Sequence, residues 1–389
     1  MSRWCGDLQL AEDAFSDALV SALANWPTNP PANGRAWIIT VARNRIRDVL
    51  KSAAVRTAAD LTDEATTSLR SVDNPTRDDT LALLFACAHP ALDRSVHAPL
   101  ILQVALGVET AEIATAFALP VATLAKRLVR AKQKLRVNKA SFEIPGSIDE
   151  DRVQAVLDAI YGAYSVDWVR VSPPDAVERI VDEAVHASQL LLRKCPENHE
   201  VRGLAALLLF LHARAAARVV ADVLVPLDEQ DQQLWDRHLI DRGNRILRAG
   251  FDVPRAGPPG PYELQAAIQS AHTSRSDDTP TPWVVIAQLY DALVGTTPSV
   301  GAQVARAVAV VRAATPAAGL TILDALPRTY PTVDQFQPFH AARGALLRDD
   351  GQPDQARTVL QRALDLCAHE PSRAYLRRSL DELSAGSAT

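Results

Sequence analysis

The chain has 389 residues, of which 48% are hydrophobic and 22% charged, and its formal net charge is −5. These values exclude wholesale disorder, give no overall sign of a nucleic-acid binder, and leave room for about two to four domains. The charge is uneven, however: residues 1–140 hold 17 Lys and Arg against 14 Asp and Glu, whereas the remainder holds 24 against 32. A slightly basic front and an acidic back point to different partners. Cys5, Cys87, Cys195 and Cys367 lie far apart with no CxxC pair, and the first ten residues lack the apolar core of a secretory signal. The longest apolar stretch, Gly203 to Ala213, is about half the ~20 residues a membrane helix needs. A reduced, cytoplasmic protein without a membrane partner is expected.

Taken in chain order, the pattern predicts an all-α protein, because apolar residues recur at helical spacing with few alternating runs. The first amphipathic helix spans residues 8–25, with Leu10, Ala14, Ala18, Leu19, Ala22 and Leu23 expected on one side. Trp26-Pro27-Thr28-Asn29-Pro30-Pro31 stops it. A second helix is expected from Arg35 to Lys51. Residues 57–79 are polar and contain Asn74-Pro75, the composition of a linker. A helical block follows from Asp79 to Arg136, then a second linker around Ser141–Ser147. From Asp149 the chain reads as helical again, broken at Arg255–Pro261 and at Ser274–Pro282. Near the end, Gly344, Leu347, Ala356, Leu360 and Ala363 match the small and apolar offsets of a tetratricopeptide repeat; a plain antiparallel helix pair explains them equally well.

Residues 110–136 carry the clearest chemistry. Thr110 is expected to cap a short helix, with Glu112 near its positive end and Ile113, Ala114 and Phe117 buried. Ala118-Leu119 makes the turn, and Pro120 suits the first position of the next helix. There Leu124, Leu128 and Leu135 form a packing stripe. Lys126, Arg127, Arg130, Lys132, Lys134, Arg136 and Lys139 are basic, with no acidic residue from 121 to 139. A short helix crossing a cationic one is the arrangement by which a helix-turn-helix enters the major groove. A solvated basic face on a structural helix is the competing explanation.

The run AEIATAF-x-LP-x-ATLAKRLVRAKQKLR resembles region 4 of the sigma-70 family in its extracytoplasmic-function version. Leu10–Ala18 resembles the part of region 2 that docks on the coiled-coil clamp of the polymerase β′ subunit, and Ala36–Asp48 the part that melts and captures the −10 element. Phe85–Leu92, Leu227–Asp231, Trp235-Asp236 and Gly260–Ile268 are similar to the subgroup with a tetratricopeptide-like C-terminal domain. The resemblance implies an RNA polymerase sigma factor, a non-enzymatic subunit without a cofactor. It divides the chain into region 2 at 1–56, a linker at 57–78, region 4 at 79–139, a linker at 140–150 and a C-terminal helical domain at 151–389. It implies −35 contacts by Thr123, Lys126, Arg127, Arg130 and Lys134, −10 contacts by Arg43, Asn44 and Arg47, and polymerase-core contacts by Asp13, Ser16 and Asp17. Positive charge beside an aromatic ring suits single-stranded DNA, but Trp37 is expected in the core of the helix pair. The family commonly has Gln at Ser16, and a further full helix where this chain has only Met1 to Asp7. The C-terminal domain is expected to regulate or support regions 2 and 4, through intramolecular contact.

Cys87, His89 and His97 lack further ligands at workable spacing, so no metal site is expected. Asp228, Glu229 and Asp231 are expected as helix-start or inter-repeat polar contacts rather than as an acid–base pair. Two other readings stay open: a stand-alone helix-turn-helix regulator without polymerase binding, and a helical protein-interaction scaffold.

Overall fold

A computed structural model describes residues 1–57, 78–117, 119–145, 149–165, 174–275 and 279–386. The protein is all-α. Among the described residues the strands are Val219–Val220 and Val223–Leu224, a minimal antiparallel hairpin turned by Ala221 and Asp222 at positive φ. The expected polar linker at 57–78 lies almost entirely outside the described residues.

The front begins with Ser2–Cys5, one helical turn, and then Leu8–Asn25. Asp7 starts the longer helix by accepting the Leu10 N–H at 3.2 Å. Ala11, Ala14, Ala18 and Ala22 recur at three- and four-residue spacing and are buried. Such small side chains let the next helix, Gly34–Thr57, approach closely and bury Ala42 and Ile46 against Ala14 and Ala18. The Ala face, not the Leu face, is therefore the inner one. Leu19 and Leu23, expected inside, are 40% and 78% exposed, and Phe15 and Val20 also face outward. Trp37 is half-buried and meets Trp26 edge-to-face, with ring centroids 5.8 Å apart.

Helices Asp78–Cys87, Arg94–Val104, Thr110–Ala116, Val121–Val137 and Glu150–Ser165 follow. Leu84, Phe85, Leu100, Ile101, Leu102, Ile113, Leu124 and Leu128 are essentially inaccessible. The residues after Val137 are not a free linker, because Ala140 and Phe142 are buried. Arg152 donates from Nη2 to the Phe85 carbonyl and from Nε to that of Ala88. A cation on the last carbonyls of Asp78–Cys87 satisfies the orphan acceptors of that helix end. This ties Glu150–Ser165, counted with the C-terminal domain from sequence, to the front of the molecule.

The chain forms two compact units. One holds the described residues up to Ser165 together with Asp175–Leu190, and the other runs from Leu191. In the second unit His199–Ala213 packs on Pro261–Thr273 and Arg237–Arg248. Gly203 permits this: a Cβ there would lie 2.4 Å from the Glu263 nitrogen. Helices Trp283–Thr296, Val300–Ala313, Pro316–Thr329, Gln337–Asp349, Pro353–Leu366 and Glu370–Gly386 complete it. Gln337–Asp349 and Pro353–Leu366 form a tight pair, with Leu347, Ala356, Leu360 and Ala363 buried and Gly344 against Leu360. All five residues of the repeat-like pattern thus meet in one helical hairpin.

Candidate nucleic-acid interface

The cationic helix Val121–Val137 is positioned by its own apolar period. Leu124, Leu128, Ala131 and Leu135 are buried, and the helix packs on Thr110–Ala116, Arg94–Val104 and Leu8–Asn25. The shorter helix Thr110–Ala116 starts differently from the sequence expectation. Glu109 is the N-cap, in a capping box with Glu112. The Thr110 hydroxyl instead accepts a hydrogen bond from Gln103 Nε2 at 2.7 Å. Ile113 and Ala114 are buried as expected, but Phe117 is 39% exposed because it ends the helix on the solvent side. Pro120 is itself the N-cap of the following helix, one residue before the position expected.

The seven cations of this segment divide between two environments. Thr123, Lys126, Arg127, Arg130 and Lys134 are exposed, and the four cations among them form no ion pair among the described residues. Lys132 turns inward. It is 7% exposed, with Nζ 2.5 Å from Glu12 Oε2. Arg136 lies 3.3 Å from Asp7. The helix therefore presents an unneutralised cationic face on one side and is tied to Leu8–Asn25 on the other. Burial pushes the Cys87 thiol up, and the nearby Glu12 carboxylate adds to this, so the thiol is inert rather than nucleophilic.

On Gly34–Thr57, Asn44 and Arg47 are exposed and hydrogen-bonded to each other at 3.0 Å, while Arg43 is half-buried. Arg45 is partly neutralised by Asp17 at 2.8 Å. Of the residues expected to meet polymerase, Asp13, Ser16 and Asp17 are all exposed. Asp13 accepts from Gln9 at 2.8 Å, and Asp17 is held by Arg45. Sequence reasoning missed the apolar surface beside them, Phe15, Leu19 and Leu23, because it placed Leu19 and Leu23 on the same inner side as Ala14, Ala18 and Ala22.

His89 and His97 have structural tasks. The Ala91 N–H donates to His89 Nδ1 at 3.1 Å, and His97 Nε2 lies 3.2 Å from the His89 carbonyl. Burial lowers both imidazoles below their ordinary range, with Arg152 adding to the effect, so they are neutral at pH 7. Among the described residues no cluster of His, Cys, Asp or Glu is arranged to hold a metal ion, and no helix is long and apolar enough to cross a membrane.

Residues 1–56 match the family model for sigma-70 region 2. Over 139 residues the chain is 33% identical to the ECF RNA polymerase sigma factor SigL of Mycobacterium tuberculosis, spanning 35% of this chain and 77% of SigL. The chain belongs to the extracytoplasmic-function sigma-factor family. A longer relative is the uncharacterized protein R00370 of Rhizobium meliloti, 36% identical over 399 residues, which covers 100% of this sigma-factor homologue and 93% of the relative. Residues 152–251 match a family of unknown function, DUF6596. No solved structure matches. Membership of the sigma-factor family rests on the front of the chain, whereas the likeness to the Rhizobium protein extends through the second unit.

Proposed function

We propose that this protein is a sigma factor that directs core RNA polymerase to particular promoters. Thr110–Ala116 and Val121–Val137 act as a helix-turn-helix on the −35 element, with Thr123, Lys126, Arg127, Arg130 and Lys134 toward DNA. Arg43, Asn44 and Arg47 contact the −10 element, and Asp13, Ser16 and Asp17, with the exposed apolar residues beside them, meet the β′ clamp. The observation that carries this reading is the cationic face of Val121–Val137, which no acidic side chain neutralises among the described residues. Phosphates attract such a face, and a helix seated across a second one can place it in the major groove. It lies in the same compact unit as the segment matching sigma-70 region 2. The protein works by positioning polymerase and DNA, in the cytoplasm, without catalysis of its own.

The second unit, with hairpins such as Gln337–Asp349 and Pro353–Leu366, is a tetratricopeptide-like domain on this reading and regulates or supports transcription. Run-off transcription with core polymerase on the gene's own upstream region tests the proposal; a defined start dependent on the protein is expected, and polymerase that does not respond refutes it. One observation favours a stand-alone DNA-binding regulator instead. Asp17, a member of the docking set, is already paired with Arg45. Co-purification with core polymerase separates the two readings.

A further inference from the structure

The segment Leu227–Arg237 is built with more polar chemistry than its connection requires. It makes two 3-10 turns, Leu227–Glu229 and Gln232–Leu234, the second capped by Asp231, whose carboxylate accepts the Gln233 N–H at 2.8 Å. Arg275 holds it from the neighbouring helix end, donating to the carbonyls of Leu227, Asp228 and Gln230 at 2.7–2.9 Å. Asp228 reaches Arg312 at 2.8 Å and Glu229 reaches Arg378 at 3.6 Å. These ion pairs tie the acidic cluster to neighbouring helices. They fix a loop, and the loop walls a cavity of about 560 Å³ lined by Asp228, Gln230, Asp231, Trp235, Arg237 and Arg275, with Gln232 and Gln233.

Trp235 and Gln230 are 4% and 7% exposed. The indole lies under two guanidinium groups, Arg275 at 5.0 Å and Arg237 at 5.6 Å from the ring centroid. Three polar atoms of these walls, Gln230 Oε1, Trp235 Nε1 and Arg275 Nε, are buried without a hydrogen-bond partner. Folded proteins pair nearly all such atoms. Three of the orphans, two donors and one acceptor, cluster in the walls of this one cavity, where a ligand would complete their hydrogen bonding. The lining holds Arg237, Arg275 and Asp231, with Asp228 paired to Arg312, so groups of both signs face the cavity. A molecule bearing both an anionic and a cationic end matches the chemistry of the walls, and a small one fills part of this volume.

We propose that this cavity binds a small zwitterion of the free amino-acid type. Its carboxylate meets Arg237 and the Trp235 N–H, and its ammonium meets Gln230 Oε1 and Asp231. Arg237 is exposed, and its side chain shifts off the indole to admit the ligand and reveal the buried atoms. The proposal does not depend on the promoter reading, since it concerns only the second unit.

The test is calorimetric titration of the full-length protein with a panel of free amino acids, their N-acetyl and amide derivatives, and inorganic phosphate. At least one amino acid is expected to bind saturably, with either derivative weaker by about tenfold or more. Gln230→Met and the surface change Arg237→Gln are each expected to weaken it comparably, and the Arg237→Gln protein is expected to stay folded by circular dichroism. Absence of saturable binding across the panel overturns the proposal. So does equal binding of phosphate or of the singly charged derivatives, or undiminished binding by a folded Arg237→Gln protein.

Discussion

Lys132 Nζ stands 2.5 Å from Glu12 Oε2, joining the cationic helix to Leu8–Asn25 of the region 2 segment, across 120 residues of sequence. The Lys132 ammonium is nearly excluded from water while Glu12 remains one-third exposed. Removing the carboxylate leaves a buried charge alone, whereas removing both charges need not destabilise. Glu12→Gln should lower stability by roughly 1–3 kcal/mol, and Glu12→Gln combined with Lys132→Met should recover most of it. Hydrogen exchange of residues 8–25 and 121–137 measures this; equal protection in all forms would show that the pair contributes nothing.

The two environments of the basic residues predict separable effects on DNA binding. Arg127→Ala with Arg130→Ala should weaken promoter binding and reduce the slope of log affinity against log salt by about 2, because each phosphate contact releases counterions. Lys132→Met, on the inner side, should leave that slope unchanged. Fluorescence anisotropy with a labelled upstream duplex over a salt series distinguishes the two, and a slope insensitive to both arginines argues against a phosphate-facing role.

His272 makes the second unit acid-sensitive. Burial first, and then Arg214, lowers its pKa to about 4; Asp228 opposes this, and Arg275 adds a smaller push downward. The unfolded chain therefore takes up the proton first as pH falls. The stability associated with neutral His272 is fully present above its unfolded pKa, near 6.5, and is lost progressively toward pH 4, by up to about 3 kcal/mol. His272 meets Trp283 edge-to-face at 5.3 Å, so His272→Phe should retain the packing and flatten the pH dependence. Thermal midpoints between pH 7 and pH 4.5 test it.

Gly203 is a steric requirement. A Cβ there meets the Glu263 nitrogen at 2.4 Å and the Tyr262 carbonyl carbon at 2.6 Å, both backbone atoms that cannot swing aside. Gly203→Ala should destabilise the second unit by roughly 1–3 kcal/mol despite its better helix propensity. Urea denaturation followed by far-ultraviolet circular dichroism measures the loss.

Much of the helical order was legible in the residues. The helix at residues 8–25 was read to its ends from its apolar period and from the Trp26–Pro31 run that stops it, and Asp7 caps its start. The Leu124, Leu128 and Leu135 stripe was equally plain. The inward face of Leu8–Asn25 was not. Both Ala and Leu recur at helical spacing there, and only the close approach of Gly34–Thr57 selects Ala. At Thr110 the side chain suited a cap, but Gln103 claimed its hydroxyl and Glu109 took the capping position. The proposed binding face was only half legible. The charge of Val121–Val137 could be counted, yet which cations meet Asp7 and Glu12 and which face water depends on where another helix lies.

The cationic helix shows the division most clearly. By itself the sequence determined that residues 121–137 form a helix with an apolar stripe and a surplus of positive charge, since periodicity and side-chain chemistry are local properties. It likewise placed Asp228, Gln230, Asp231 and Trp235 within one short segment. Only the tertiary structure decided that Lys132 is spent on Glu12 while Arg127 and Arg130 stay open, and that Arg275 lies over Trp235 in the wall of an open cavity. Ion pairing, burial and cavity formation depend on what a distant part of the chain brings within a few ångströms, and that is set by packing rather than by composition.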